Sequence, residues 1–283
     1  MKKTLISLAM AMTTTLLMGQ MTPQEAAKIE AENPLVKEWN TPFQTPPFNS
    51  IKTEHYKPAM LYAIEQAKQE VNAIIVNRAR PDFENTIVAL ERAGGLLNRI
   101  SGVFFNINEC MTSDQLQQIY MEIIPDLTAY GNDVSMNPLL FAKVKEVYDQ
   151  RDDIALTTEQ RMLLEKTYKS FIRSGALLEG AAKEEYRKVS EELSMLTNQY
   201  QMNVLAEQNA FFLNITNKKD LAGLPDYVIA AAREEAKARK QKGWTFTLQY
   251  PSFSPFMQYA DNRDLREKMW RASAFEANNN NDK

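Results

Sequence analysis

The sequence has few of the residues that bind zinc or form disulfides. It contains one histidine, His55, and one cysteine, Cys110, in 283 residues. Zinc sites in proteins take three or four ligands, drawn mainly from histidine and cysteine, so this inventory cannot complete a site of the usual type. A single cysteine also excludes an internal disulfide. We therefore predict that Cys110 is a buried thiol within a helix and that this chain alone binds no zinc.

Glycine is also scarce, with nine residues, and long stretches contain neither glycine nor proline. Apolar residues recur in these stretches every three or four positions, which predicts a mainly α-helical fold. Hydrophobic residues make up 44% of the chain and charged residues 24%, a composition typical of globular proteins of one or two domains. The formal net charge is −3, and no excess of lysine and arginine favours nucleic acid as a partner.

Motifs for nucleophilic catalysis and nucleotide binding are missing. There is no Gly-x-Ser-x-Gly elbow, no phosphate-binding glycine loop and no Gly-x-Gly-x-x-Gly motif. His55 has no partner histidine for a metal, and a Cys110–His55 nucleophile and base lacks a local signature, so we favour structural roles for both. Adjacent residues on a helix diverge by about 100°, which predicts that four acidic pairs are solvated rather than catalytic. The pairs are Asp152-Asp153, Glu184-Glu185, Glu191-Glu192 and Glu234-Glu235.

The first 20 residues have the pattern of an export signal. Lys2 and Lys3 precede a charge-free stretch from Thr4 to Met18, and a small residue, Gly19, follows it. The apolar part of the stretch is shorter than the roughly 20 residues of a membrane-spanning helix. We predict that residues 1–20 are a signal peptide and that residues 21–283 form a soluble, exported, periplasmic protein with no membrane partner.

Two long helices have the clearest apolar periodicity. The first follows a start signal at Asp82–Thr86 and is predicted as one helix that contains Gly94, Gly95 and Gly102. Each internal glycine costs about 1 kcal/mol relative to alanine, so we expect close approach of a second helix to compensate. The second long helix is amphipathic, with a solvated face opposite its apolar stripe. The stripe consists of Tyr186, Val189, Leu193, Leu196, Tyr200 and Val204.

Capping residues and prolines predict further helix starts at Thr53 to Pro58, Thr112–Asp114, Asn137–Pro138 and Thr157–Glu159. Alternating polarity over residues 210–215 and 244–248 predicts a small antiparallel β ribbon. Between these segments we predict a turn at Leu221–Pro225 and an amphipathic helix over residues 226–242. A last helix is predicted over residues 262–278. No 34-residue repeat of the tetratricopeptide type can be aligned, although a helical solenoid stays a weaker alternative.

Six aromatic residues near the ribbon allow two interpretations. They could line a peptide groove or pack the ribbon against helices, and we favour packing. Arg263 and Arg266 lie near Asp261 and Asp264 in sequence, and we predict ion pairs at a helix end rather than a substrate clamp. The six aromatic residues are Trp244, Phe246, Tyr250, Phe253, Phe256 and Tyr259.

Several segments resemble the N-terminal half of the peptidyl-dipeptidase (dipeptidyl carboxypeptidase) and thimet oligopeptidase family of zinc metallopeptidases. The first comprises Pro81–Ile87 and Ala89–Gly94, with Phe83 where many relatives have tryptophan. Others follow in the family's order over about residues 33 to 278, and the branch that they resemble most is the bacterial dipeptidyl carboxypeptidases. These segments are Asn137–Phe141, Phe171–Ala176, Glu192–Leu196 with Asn203–Leu205, Leu221–Pro225 and Tyr259–Glu267.

The resemblance implies a helical body with a small β ribbon that forms one wall of a deep cleft for short peptides. In that family a His-Glu-x-x-His helix binds zinc and supplies the general base, and this motif is absent from the sequence. We therefore assign no catalytic, cofactor-binding or metal-binding residue to this chain. Zinc and short peptide substrates are expected only for an intact protein, and a truncated chain would expose apolar faces.

Two functions remain open from the sequence. In the first, residues 21–283 are the helical N-terminal region of an exported, monomeric zinc metallopeptidase that releases C-terminal dipeptides, and this chain alone is inactive. In the alternative, the chain is a non-catalytic helical protein that binds peptides or acts as a scaffold.

Overall fold

The computed structural model of the protein describes residues 21–278. The predicted signal peptide, residues 1–20, lies outside the described residues. The chain divides into two compact units, and the boundary falls between Arg187 and Lys188. Both units are built mainly from helices, which confirms the predicted fold class. None of the helices between residues 21 and 278 combines the length and hydropathy needed to cross a bilayer.

The first unit consists of helices joined by short connections. A wide π-helical turn at Phe83–Val88 precedes α3, and short 3-10 turns lie at Pro42–Gln44 and Thr53–His55. The helices are α1 (Pro23–Glu32), α2 (Tyr56–Val76), α3 (Ala89–Arg92), α4 (Gly95–Cys110), α5 (Asp114–Ser135), α6 (Pro138–Asp149) and α7 (Thr158–Arg173). Helix α8 (Gly180–Ala210) begins in this unit and continues past its boundary.

The second unit contains the β ribbon and three further helices. Strands β1 (Leu213–Ile215) and β2 (Trp244–Phe246) pair antiparallel, with Asn214 opposite Thr245. This confirms the predicted ribbon, although each strand is shorter than the alternating segment that predicted it. The helices are α9 (Asp226–Ala238), α10 (Tyr250–Tyr259) and α11 (Arg263–Ala274). Helix α9 ends before residue 242 because Lys240 adopts a left-handed φ of 56°.

Side-chain caps explain where most of these helices begin. Ser113, Asn137 and Thr157 each accept a hydrogen bond from a backbone amide in the first turn of α5, α6 and α7. Asn262 does the same for α11. These contacts satisfy amides that the helix itself leaves unpaired. The helix starts predicted from these residues are therefore confirmed.

Two hydrophobic cores lie within the first unit. In the first core, α2, α4 and α5 pack around Phe104, whose ring centroid is 5.2 Å from that of Tyr56. Leu35 is fully buried there although it lies outside any helix. Arg99 of α4 fixes this segment because its Nη2 donates to the carbonyl oxygens of Leu35, Val36 and Lys37, and the guanidinium lies over the ring of Trp39.

The second core of this unit joins the π-helical turn to α6, α7 and the end of α2. Its aromatic rings stack, with centroids 5.9 Å apart for Phe141 and Phe171 and 3.9 Å apart for Tyr148 and Tyr168. Phe83 is buried in this core. The aromatic character of that position thus serves packing.

The predicted continuous helix through Gly94 is wrong. Helix α3 ends at Arg92 and α4 begins at Gly95, because Gly94 has a φ of 77°, in the left-handed region that favours glycine. The carboxylate of Glu70 accepts a 2.6 Å hydrogen bond from the Gly94 amide and so stabilises the break. A Cβ at Gly95 or Gly102 would meet no atom within 4 Å, so the expected close approach of a second helix is wrong for these two glycines. At Gly94 it is correct, because a Cβ there would lie 3.7 Å from the Cβ of Ala67 on α2.

The predicted burial of Cys110 is wrong as well. Its thiol is exposed at the last position of α4. The buried face of that helix is formed by Leu97, Ile100, Val103 and Phe104, and Cys110 lies beyond the end of this face. The predicted position within a helix is correct, but the buried face of α4 ends before this last residue.

Helix α8 contains the whole predicted apolar stripe but has little of the burial that this stripe would permit. Asn198 is the one buried residue of this 31-residue helix within the described part of the chain. Val189, Leu193 and Tyr200 are more than half exposed. Much of the apolar face of α8 is therefore accessible to solvent.

Candidate functional site

A groove with a volume of about 750 Å³ lies in the first unit, between α1, α2 and α5. We call it the α1–α2–α5 groove. Asp126, Ala129, Tyr130 and Asp133 line it from one face of α5, at the i, i+3, i+4 and i+7 spacing of a single helix face. Its other apolar lining residues are Met21, Ile29, Pro58, Leu61 and Ile64, and its other charged residues are Glu25, Lys28, Glu32, Glu54, Lys57, Glu65 and Lys68.

Local hydrogen bonds hold the helices that form this groove. At the start of α1, the Thr22 hydroxyl accepts from the Glu25 amide while the Glu25 carboxylate accepts from the Thr22 amide at 2.8 Å. These contacts with Thr22 hold the pKa of the Glu25 carboxyl below its usual range. Burial raises the pKa of the Tyr130 phenol, and the nearby Glu70 charge adds to this effect. The groove thus combines an apolar floor with fixed charges.

An ion pair joins α2 to α5 beside the groove. Lys57 Nζ donates to Glu122 Oε2 at 2.6 Å, and Gln118 donates to the other carboxylate oxygen. The hydrogen bond from Lys57, followed by that from Gln118, lowers the pKa of the Glu122 carboxyl. Both charged side chains are more than a third exposed, so solvent screens their attraction.

We expect Lys57→Met to return the pKa of the Glu122 carboxyl toward its ordinary value of 4.5, measured by carboxyl NMR titration. Because the folded pKa is depressed, the contact stabilises the fold above the ordinary pKa and loses this effect as the pH falls through the folded pKa. Lys145→Met, which removes a partner of Asp149, is the control and should leave Glu122 unchanged. A Glu122 pKa that is the same in the Lys57→Met variant would contradict this account.

His55 and Cys110, the possible base and nucleophile of a catalytic pair, lie in different parts of the first unit. His55 borders the groove, where its Nδ1 accepts a 3.0 Å hydrogen bond from the Lys52 amide at the start of α2. Cys110 is exposed at the end of α4. Within the described lining of the groove no serine, threonine or cysteine accompanies His55. The groove lining combines apolar side chains with charged ones.

The residues of the four acidic pairs either form surface ion pairs or are exposed to solvent. Asp152 pairs with Arg161 at 2.9 Å, Glu234 with Lys237, and Glu235 with Arg239. Glu184, Glu185, Glu191 and Glu192 are exposed on α8. Between residues 21 and 278, no group of three His, Cys, Asp or Glu side chains lies close enough together to hold a metal ion. The described residues therefore do not fit a zinc site.

The aromatic residues near the ribbon mostly form the core of the second unit. Phe246 and Phe256 are fully buried with ring centroids 4.6 Å apart, and Trp244 and Phe253 pack against that core. This confirms the packing interpretation for these four residues. Tyr250 and Tyr259 are instead exposed, at 78% and 47%.

Arg266 does not form the predicted ion pair at the helix end. Its Nη1 donates to the backbone carbonyl oxygens of Ala260 and Asp261. Within the described ranges, neither Arg266 nor Arg263 approaches a carboxylate closely enough to form a salt bridge. Arg266 therefore fixes the connection between α10 and α11 through the main chain.

Comparison with known proteins places the chain among peptidase homologues. Oligopeptidase A of Salmonella typhimurium is 33% identical over 240 residues, which are 85% of this chain and 35% of that protein. Dipeptidyl carboxypeptidase of Escherichia coli is 32% identical over 252 residues, 88% of this chain and 37% of that protein. Oligopeptidase A of Escherichia coli is 32% identical over 240 residues. No protein-family model matches the chain.

The curated relatives in these comparisons are all peptidases by name. The chain is homologous to oligopeptidase A and dipeptidyl carboxypeptidase, and the resemblance to the thimet oligopeptidase family predicted from the sequence is confirmed. The chain spans little more than a third of the length of the relatives that it matches.

The sequence analysis did not predict the α1–α2–α5 groove. A signal was available in the spacing of Asp126, Ala129, Tyr130 and Asp133, where acidic residues flank a small and an aromatic residue on one helix face. That spacing could indicate an accessible helix face, but not which other helices lie beside it.

Proposed function

We propose that this chain is the N-terminal, cleft-forming part of an exported zinc metallopeptidase that hydrolyses short peptides and releases C-terminal dipeptides. The observation that carries the proposal is identity of 32% or 33% with oligopeptidase A and dipeptidyl carboxypeptidase over more than four fifths of the chain. Since the chain spans about a third of those relatives, the proposal assigns the chemistry to the part of the longer protein that this chain does not span.

In this proposal the described residues shape the cleft and do not carry out the reaction. Zinc, when bound in the longer protein, would activate water for attack on a peptide carbonyl. The described residues contain no group that could hold it, so no ligand is assigned to them. The helices of this chain would instead form a cleft that only short, unfolded peptides can enter. Export is supported by the pattern of Lys2, Lys3 and the charge-free stretch that follows.

We expect the isolated chain, residues 21–283, to bind no stoichiometric zinc and to cleave no peptide. Elemental analysis and turnover of a blocked tripeptide measure both properties. The polypeptide encoded by an in-frame extension of the gene is the matched comparison, and it should hold zinc and lose activity with a chelator. Chelator-sensitive cleavage by residues 21–283 alone would contradict the assignment, and so would an extension without a His-Glu-x-x-His segment.

A second candidate function is peptide binding without catalysis, and the α1–α2–α5 groove is the observation that favours it. The groove offers about 750 Å³ with apolar and charged lining residues, a size suited to a few side chains. Calorimetry with short peptides tests this alternative on the isolated chain. Saturable binding that Leu61→Glu abolishes and Leu139→Glu preserves would support it, since Leu139 is exposed at a position outside the groove lining.

A further inference from the structure

An apolar stripe on α8 is exposed over most of its length. Val189, Leu193, Leu196 and Tyr200 are 52%, 62%, 59% and 57% exposed. Single exposed apolar side chains are normal, whereas a contiguous stripe indicates an interaction surface. None of these four residues belongs to a hydrophobic core of the described part of the chain. We call the four residues the α8 seam.

The spacing of the seam is that of helix-to-helix packing. Its residues follow one another at intervals of four, three and four, so they lie along one side of the helix over about 17 Å. Alternating steps of three and four are the a and d positions of a heptad, whose side chains insert between those of a facing helix. The geometry of the seam therefore fits an apolar helix rather than an extended peptide.

Charge on the two flanks of the seam is unequal. Glu192 precedes Leu193 on one flank, while Ser190 and Thr197 follow Val189 and Leu196 on the other. These are the g and e positions, which select partners through ion pairs. Glu192 forms no ion pair with any described residue. The Glu192 carboxylate on this flank could therefore pair with a lysine or arginine of a partner helix.

A second copy of this chain would not supply that pairing. In an antiparallel pair the flank of Glu192, whose other member is Gln199, would face the same flank of the second copy, so Glu192 would meet glutamine or a like charge and gain no ion pair. In a parallel pair Glu192 would face serine or threonine and gain no ion pair. The flanks therefore favour a different helix, one with basic residues beside its apolar side chains.

We propose that the α8 seam is the docking surface for an amphipathic helix in the part of the longer peptidase that this chain does not span, with lysine or arginine facing Glu192. The inference rests on the proposed function. The relatives are almost three times the length of the matched region, which supplies polypeptide to cover the seam. Glu192–Leu196 is also one of the segments that resemble the family, although no core in the described chain requires it.

Thiol accessibility in the chain and in the longer protein tests the proposal. Cys110→Ser first removes the exposed native thiol, and Leu193→Cys or Glu191→Cys then introduces one new thiol. Leu193 lies in the seam, and Glu191 is an exposed control on the far side of the helix. We expect maleimide to label Leu193→Cys about tenfold or more slowly in the longer protein than in residues 21–283, because covering a thiol slows its reaction. Glu191→Cys should react at similar rates in both proteins.

Equal labelling rates of Leu193→Cys in the two proteins would overturn the docking surface. If the longer protein hydrolyses peptides in that case, the proposed function still stands. A dimer of residues 21–283 that dissociates on Leu193→Lys would instead make a second copy the occupant and would also overturn the inference. If the source produces no polypeptide longer than this chain, the proposed function fails and the docking surface fails with it.

Discussion

Phe104→Ala is expected to reduce the free energy of unfolding of the first unit by about 3–5 kcal/mol. Phe104 is fully buried, and its ring lies 5.2 Å from that of Tyr56 and 5.4 Å from that of Phe105. Truncation removes the apolar contacts of the ring and leaves a cavity that α2, α4 and α5 can only partly close. Urea unfolding followed by the fluorescence of Trp39, which packs against the same core, measures the loss.

Phe43→Ala is the matched control for that substitution. Phe43 is 99% exposed, so the same change in side-chain volume removes almost no buried contact. We expect the free energy of unfolding to change by less than about 0.5 kcal/mol, as is usual for surface substitutions. A Phe104→Ala variant as stable as Phe43→Ala would show that the first core is not centred on Phe104.

Gly223→Ala should destabilise the second unit by about 3 kcal/mol or more, from combined backbone strain and steric overlap. Gly223 has a φ of 85°, and a Cβ there would lie 2.7 Å from Asp261 Oδ1 and closer still to the carbonyl oxygen of Tyr259. Those atoms cannot move freely, because the Asp261 amide donates to the Ala222 carbonyl at 2.9 Å. Thermal unfolding followed by Trp244 fluorescence reports on this unit.

Gly180→Ala separates the two causes of that loss, and because Gly180 lies in the first unit its variant is followed by Trp39 fluorescence. Gly180 also has a positive φ, 53°, but a Cβ there would meet no atom within 4 Å. This control therefore carries the backbone penalty alone, about 1 kcal/mol. If Gly223→Ala cost no more than Gly180→Ala, the contact with Tyr259 and Asp261 would be looser than the structure has it.

The same contact joins two separate segments that both resemble the peptidase family. Leu221–Pro225 and Tyr259–Glu267 are more than 30 residues apart, yet the hydrogen bond from Asp261 to Ala222 joins them. A second bond links Asn262 to the Asp220 carboxylate at 3.0 Å. The sequence indicated each segment as a family motif but gave no sign that the two meet.

Local signals predicted much of the fold, and non-local contacts account for the errors. Caps such as Asn137 and Ser113 act on amides two or three residues away, so their sequence positions are sufficient to mark helix starts. The break at Gly94 depends on the carboxylate of Glu70, 24 residues earlier, and periodicity continues through it undisturbed. Amphipathic spacing likewise marked the apolar face of α8 without indicating whether the described chain covers it.

The candidate site was less predictable than the fold. The absence of a zinc motif follows from counting residues, whereas the α1–α2–α5 groove arises from the relative placement of three helices. Its α5 residues lie more than 50 positions after its residues from α1 and α2, and no spacing rule connects them. Only the α5 face, with Tyr130 between Asp126 and Asp133, could be recognised from the spacing of its residues in the sequence.

The contacts of Arg99 have a consequence for the order of folding. Its guanidinium holds the carbonyl oxygens of Leu35, Val36 and Lys37, which lie 62 to 64 residues earlier in the chain. Closing so long a loop costs conformational entropy that only the formed α2–α4 packing can offset. Pairing of α2 with α4 shortens the effective loop that these contacts close, so we expect the segment around Leu35 to join the first core after that pairing.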